Sequence, residues 1–183
     1  MPLYDFSYFP ELITERLYLR RIVKEDVADL FVIRSNESAM KYIDRPIATS
    51  YDDALNLIKV IDEVYEKKDG VTWAICLKED HKLIGTIGFW KMDKPNFRAE
   101  IGYILNPTFH RKGIMLESLK SVIHFGFNQL NLHSIEANIN PVNEASRQIL
   151  LKLGFVQEAY FRENYFSNGK FLDSAIFSLV KND

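Results

Sequence analysis

Glu100-Ile-Gly-Tyr-Ile-Leu-Asn-Pro-Thr-Phe-His-Arg-Lys-Gly-Ile-Met115 leads from a strand, through a basic loop, into a helix. Across Arg98 to Leu105 the residues Ala99, Ile101, Tyr103 and Leu105 share one face and Glu100, Gly102 and Ile104 the other, the period of two that defines a strand. From Ile114 to Asn131, Met115, Leu119, Val122, Ile123, Phe127 and Leu130 recur at helical spacing and form a broad apolar face. Gly113 lets a ligand approach the backbone closely, and the first N–H groups of the helix have no internal partners, so a pyrophosphate could sit there. Arg111 and Lys112 add charge-assisted donors at the rim. A basic helix start after a strand is equally often a solvated turn, so the loop alone leaves both readings open. Neither G-x-x-x-x-G-K-S/T nor a strand-borne G-x-G-x-x-G occurs, which removes the usual nucleoside triphosphate and dinucleotide motifs.

Outward from this stretch, Val71 to Lys78, Leu83 to Met92 and Arg98 to Leu105 are closely spaced apolar runs separated by turn residues, which predicts an antiparallel meander. His133 to Ile139 alternates Ile135, Ala137 and Ile139. With the preceding strand and helix it predicts a βαβ unit whose two strands are parallel neighbours. Asn143 to Leu153 reads as a helix capped by Asn143 and stopped by Gly154. Phe155 to Phe166 and Phe171 to Val180 predict a hairpin around Ser167-Asn168-Gly169. On the N-terminal side, Thr14 to Ile22 alternates as a strand, and a short helix carrying Val27, Leu30, Phe31 and Ile33 follows an acidic first turn. Ser50 to Lys68 predicts a longer helix with Ser50 and Asp53 as a capping box. Helices around one mostly antiparallel sheet with one parallel contact make the fold class α+β.

The chain has 183 residues, 47% apolar and 26% charged, which fits one globular domain over residues 1–183 and argues against disorder. Its 23 basic and 25 acidic residues give a net charge of −2, so the basic surplus that drives nucleic-acid binding is absent. Cys76 is the single cysteine, which excludes an internal disulfide, predicts an inert buried thiol and suits a reducing, cytoplasmic setting. No standard signal segment and no long apolar run are found, so membrane insertion is not expected. His81, His110, His124 and His133 lack metal-ligand spacing, and no metal is predicted. His124 is expected to pack within its helix. Trp73, Phe89, Trp90 and the aromatics Tyr160, Phe161, Tyr165 and Phe166 are expected mainly as core and sheet packing, with some available to line a groove.

Taken along nearly the whole chain, this order of elements resembles the GNAT acetyltransferases. TERLYLRRI, AEIGYILNP, HRKGIM, HSIEANINPVNEASRQILLKLGF and NYFSNGKFLDSAIFSL are similar to the ribosomal-protein N-acetyltransferases of the RimJ/RimL type. The resemblance implies a central sheet of about seven strands with a splayed parallel pair and about four flanking helices. It also implies acetyl-CoA as cosubstrate, its pantetheine pairing with Ile104, Leu105 and Asn106 and its pyrophosphate held by His110, Arg111, Lys112, Gly113, Ile114 and Met115. The family loop runs Arg or Gln, two residues, Gly, one residue, then Gly or Ala. Here His110 and Met115 depart from it and Gly113 conforms, and the Met115 side chain is expected to crowd the phosphates.

Transfer to an amine requires proton removal from the amine and stabilisation of the leaving thiolate. The resemblance makes Glu100 the base, facing the acceptor channel; from the residues alone it could equally pair with Arg98 or a neighbouring strand. Many relatives carry a tyrosine four residues before the Gly of Leu-Gly-Phe, but here that position is Leu150. Ser146 then matches the pattern for a hydrogen bond to the CoA sulfur, against a plain role in the first helical turn. Asn143, a sound N-cap, would also contact pantetheine. The expected activity is acetylation of a primary amine, foremost a protein N-terminus such as that of a ribosomal subunit, by direct attack in a ternary complex. A polyamine or aminoglycoside acceptor, and a non-catalytic CoA-binding module, are the alternatives. The aromatic hairpin and the related enzymes suggest a homodimer.

Overall fold

Leu17 and Leu19, both without solvent exposure, begin a strand whose alternate residues, Tyr18 and Arg20, point to the other face. In the computed structural model, which describes residues 6–167 and 169–181, this strand is β2 (Leu17–Arg21). It is shorter than Thr14 to Ile22 because Thr14 closes a tight turn, its N–H donating to Leu17 O at 3.0 Å and its Oγ1 accepting from Leu17 N at 3.0 Å. A two-residue edge strand, β1 (Leu12–Ile13), pairs back against β2.

Arg20 reaches Asp26 with two bonds of 2.7 Å, and the same carboxylate accepts from Val23 N at 2.8 Å. This knot starts α1 (Val27–Arg34). A short α2 (Glu37–Met40), capped by Asn36, follows; it was not anticipated because one turn carries too little periodicity to read. Helix α3 (Tyr51–Glu66) opens on the expected capping box of Ser50 and Asp53.

The meander is β3 (Val71–Leu77), β4 (Leu83–Asp93) and β5 (Arg98–Leu105), and α4 (Ile114–Asn128), β6 (Ser134–Ile139) and α5 (Glu144–Lys152) follow. The chain closes with β7 (Val156–Ser167) and β8 (Lys170–Val180); Asn168 of the expected turn lies outside the described residues. The eight strands run in the order β1-β2-β3-β4-β5-β6-β8-β7, and β5 with β6 is the parallel pair. The described sheet is thus one strand larger than expected, the addition being β1.

One core packs α4 and α5 against the sheet through Trp73, Phe89, Leu119, Leu150 and Phe177. The opposite face packs α1, α2 and α3 through Ile22, Leu30, Ile33, Met40, Ile58 and Ile104. Cys76 is sealed in this second core, where burial pushes its thiol up to about 11, as an inert cysteine requires. His124 is not packed as expected: it lies on the exposed side of α4 and meets the side chain of its i+4 neighbour Asn128 at 3.1 Å. Trp73 and Phe89 are core residues, whereas Trp90, Tyr160, Phe161 and Phe166 are all about half exposed or more. Tyr160, Phe161 and Phe166 lie on the edge strand β7, and Trp90 lies at the β4 bulge between Phe89 and Lys91.

Candidate functional site

The central strands part in the middle of the sheet. β5 pairs with β6 only from Arg98 to Glu100, opposite Ser134 to Glu136, while its other edge stays paired with β4 as far as Leu105. Past Glu100 the β6-facing edge of β5 has no strand partner among the described residues, and an extended polar chain could bond there as a strand does. Ile104 and Leu105 lie on this open length, and the ring of His110 turns back so that Nε2 is 3.0 Å from Leu105 O. His110 thereby fixes the strand end with one ring nitrogen.

At the end of the same loop Gly113 is the N-cap of α4, with φ +76° and no side-chain cap, so the first-turn N–H groups remain open. Arg111 is also left-handed, with φ 60°. Arg16 holds this conformation by donating to Lys112 O at 2.9 Å. Glu117, an acid whose charge would oppose an anion at this helix start, accepts from Thr14 Oγ1 at 2.6 Å, Arg16 N at 2.9 Å and Arg16 Nε at 2.7 Å. Burial works to raise the Glu117 pKa, but these donors prevail and hold it below the usual carboxylate range. The positive end of the helix and the exposed Arg111 are therefore not cancelled locally.

A Cβ on Gly113 would stand 3.3 Å from the Arg16 guanidinium and would force a left-handed backbone on an ordinary residue. Gly113→Ala is expected to cost about 1–2 kcal/mol of stability and to weaken CoA binding measurably. Paired thermal melts and calorimetry check this; unchanged values in both would show that the loop relaxes freely.

The parted strands and the helix start share a cleft of about 800 Å³. It brings together the predicted Ile104, Leu105, His110, Arg111, Gly113 and Ile114, joined by Met115, Asn143 and Ser146. Two residues predicted to hold the cofactor are not on its wall. The Asn106 side chain accepts from Thr108 N at 3.1 Å and Thr108 Oγ1 at 2.9 Å, and the Lys112 ammonium lies 5.1 Å from the Phe109 ring. Met115 divides its contacts, packing partly against the main core while bordering the cleft. Ser38, Tyr42 and Ile43, from α2 and the loop after it, complete the wall and were not singled out from sequence.

Asn143 caps α5 by accepting from Ser146 N at 3.2 Å, so the Ser146 hydroxyl is not needed for that task. Beside it on the cleft wall is Tyr103 from β5, whose hydroxyl is buried. Leu150, where many relatives carry tyrosine, is fully buried in the core.

Glu100 stands at the fork, opposite Glu136, rather than on the wall of the cleft. Arg98 does not pair with it; the guanidinium bonds Glu136 and, at 3.2 Å, Ser178 Oγ. Burial, then the nearby Glu136, raise the Glu100 pKa, and Lys91 and the neighbouring Trp90 indole only partly offset them. Trp90 lies at the β4 bulge between Phe89 and Lys91, and Gly102 leaves room beside its indole, where a Cβ would come within 3.2 Å of the ring. Tyr165 of β7 donates to Asp44 Oδ2 at 2.6 Å, tying the hairpin to the loop that carries Tyr42 and Ile43.

The family model described as acetyltransferase (GNAT) domain matches residues 16–156. The chain is 36% identical to the uncharacterized N-acetyltransferase YoaA of Bacillus subtilis over 94% of its own length and 98% of that protein. It is 26% identical to the ribosomal protein uS5 alanine N-acetyltransferase of Escherichia coli, over 68% of this chain and 64% of that one. Among solved structures, the ribosomal L7/L12 alpha-N-protein acetyltransferase RimL in complex with coenzyme A superposes with a TM-score of 0.85 at 19% identity, covering 93% of this chain and 98% of that one. With the parted β5–β6 pair and the open start of α4 in place, the chain belongs to the GNAT acetyltransferases and is an acetyl-CoA-dependent N-acetyltransferase.

Proposed function

We propose that this enzyme acetylates the N-terminal amine of a protein, a ribosomal protein foremost, by direct attack within a ternary complex. The observation that carries the reading is the fork at Glu100: a carboxylate with a raised pKa stands where the β5–β6 pairing ends, and the open length of β5 beyond it lines the cleft. The E. coli relative that acts on ribosomal protein uS5 supports this choice of acceptor.

Acetyl-CoA supplies the activated acetyl group. The free edge of β5 at Ile104 and Leu105 holds the pantetheine, and the N–H groups of α4, with Arg111 at the rim, hold the pyrophosphate. Glu100, directly or through water, accepts a proton from the incoming ammonium, whose nitrogen then forms a bond to the acetyl carbon as the carbon–sulfur bond breaks. Of the two protons the ammonium loses, one leaves through Glu100 to solvent and the other replaces the acetyl group on sulfur. Ser146 donates a hydrogen bond to the developing thiolate.

Thiol release measured with N-terminal peptides, polyamines and aminoglycosides, together with acetyl marks on cellular N-termini with and without this chain, tests the proposal. Loss of acetylation at defined N-termini, with faster turnover of the matching peptides, is expected. Turnover confined to polyamines or aminoglycosides would reassign the acceptor, and tight CoA binding without turnover on any amine would make the chain a binding module.

A further inference from the structure

One polar atom at the cleft has no role in the chemistry above. The hydroxyl of Tyr103 is shielded from solvent and has no hydrogen-bond partner among the described residues. Its ring packs against the main core, where phenylalanine would fill the same space without burying an unpaired donor. An orphaned hydroxyl at a ligand cleft marks a group whose hydrogen bond is made when the site is at work.

The neighbouring group is Ser146, whose side chain is close enough to favour the Tyr103 phenolate yet stands outside hydrogen-bonding geometry. Both line the cleft, and Asn143 already satisfies the Ser146 N–H. Burial pushes Tyr103 up to about 12, so it remains protonated at neutral pH and can donate but does not deliver its proton. A serine hydroxyl has a single proton. Once Tyr103 donates to Ser146 Oγ, that proton must point elsewhere, and the cleft is the open direction.

Resting on the reading of this cleft as the acetyl-CoA site, we propose that Tyr103 is a positioning residue. It donates to Ser146 Oγ and so aims the Ser146 O–H at the sulfur of CoA. Leu150 supplies no hydroxyl on α5, and this two-hydroxyl chain stabilises the leaving thiolate instead.

The test is the ultraviolet titration of the CoA thiol bound to wild type, Tyr103→Phe, Ser146→Ala and the double variant, with ligand-free protein subtracted and calorimetry to establish saturation. Tyr103→Phe is expected to lower the acid dissociation constant of the bound thiol about tenfold, the size of one hydrogen bond to a charged group, and to lower kcat similarly. Its thermal midpoint should be unchanged or higher, because an unpaired buried hydroxyl is removed. In the Ser146→Ala background the Phe substitution should add nothing. A thiol titration identical in wild type and Tyr103→Phe, or an undiminished Phe effect without Ser146, would overturn the positioning role and leave the cofactor site standing. Failure of wild type to bind CoA saturably would overturn both.

Discussion

Glu100→Gln is expected to lower kcat by roughly 10² to 10⁴, the usual worth of a positioned general base. Glutamine keeps the size and polarity of the side chain, so loss of the proton acceptor is the main change. The pH dependence separates this role from packing. Burial and the facing Glu136 raise the pKa of Glu100, so the base is lost by protonation at a higher pH than an ordinary glutamate. Wild-type kcat should therefore fall as pH falls through that raised value, and the Gln variant should lack this acidic limb. A variant kcat within a few-fold of wild type across the pH range would remove Glu100 from the mechanism.

The second large effect is structural. Arg20→Met should destabilise the fold by about 3–5 kcal/mol, because it leaves a carboxylate buried without its ion partner. Asp26 is only 5% exposed, and the two bonds from Arg20 neutralise it where β2 turns into α1. At about 2–4 °C per kcal/mol for a chain of this size, the thermal midpoint should drop by roughly 10 °C. The consequence reaches the cleft, since α1 packs with α2 in the second core and the segment after α2 supplies Tyr42 and Ile43 to the wall. Arg20→Met with Asp26→Leu should recover much of the loss, because a well-packed apolar pair can replace a buried ion pair at little cost. A midpoint unchanged in the single variant would show that water reaches Asp26 and screens it.

The periodic elements were legible because their signals are local. Ser50 and Asp53 form their capping box, Asn143 caps α5, and the alternation from Arg98 to Leu105 gives β5 the predicted faces. β1 and α2 escaped because two and four residues are too few to show a period. The exposure of His124, and that of Trp90 and Tyr160, depended on which side of a helix or sheet other elements cover.

The site divides along the same line. Gly113, the basic rim and the resemblance to GNAT enzymes were readable as a continuous stretch, and so was the absence of tyrosine at position 150. The Tyr103 hydroxyl carried one neglected signal, a polar tip on the core face of a strand. Its neighbour Ser146 is 43 positions away in the chain (146 − 103), so no local pattern couples them. Arg16 meets Glu117 across a gap of 101 positions, and the length over which β5 and β6 pair is a property of two strands at once. The longer elements, their order and the family were legible in the chain itself, because propensity, capping and periodicity act within a few residues. Only the tertiary structure decided where the strands part, which charges are neutralised and which hydroxyl lacks a partner, because each is set by groups that meet only after the chain has folded.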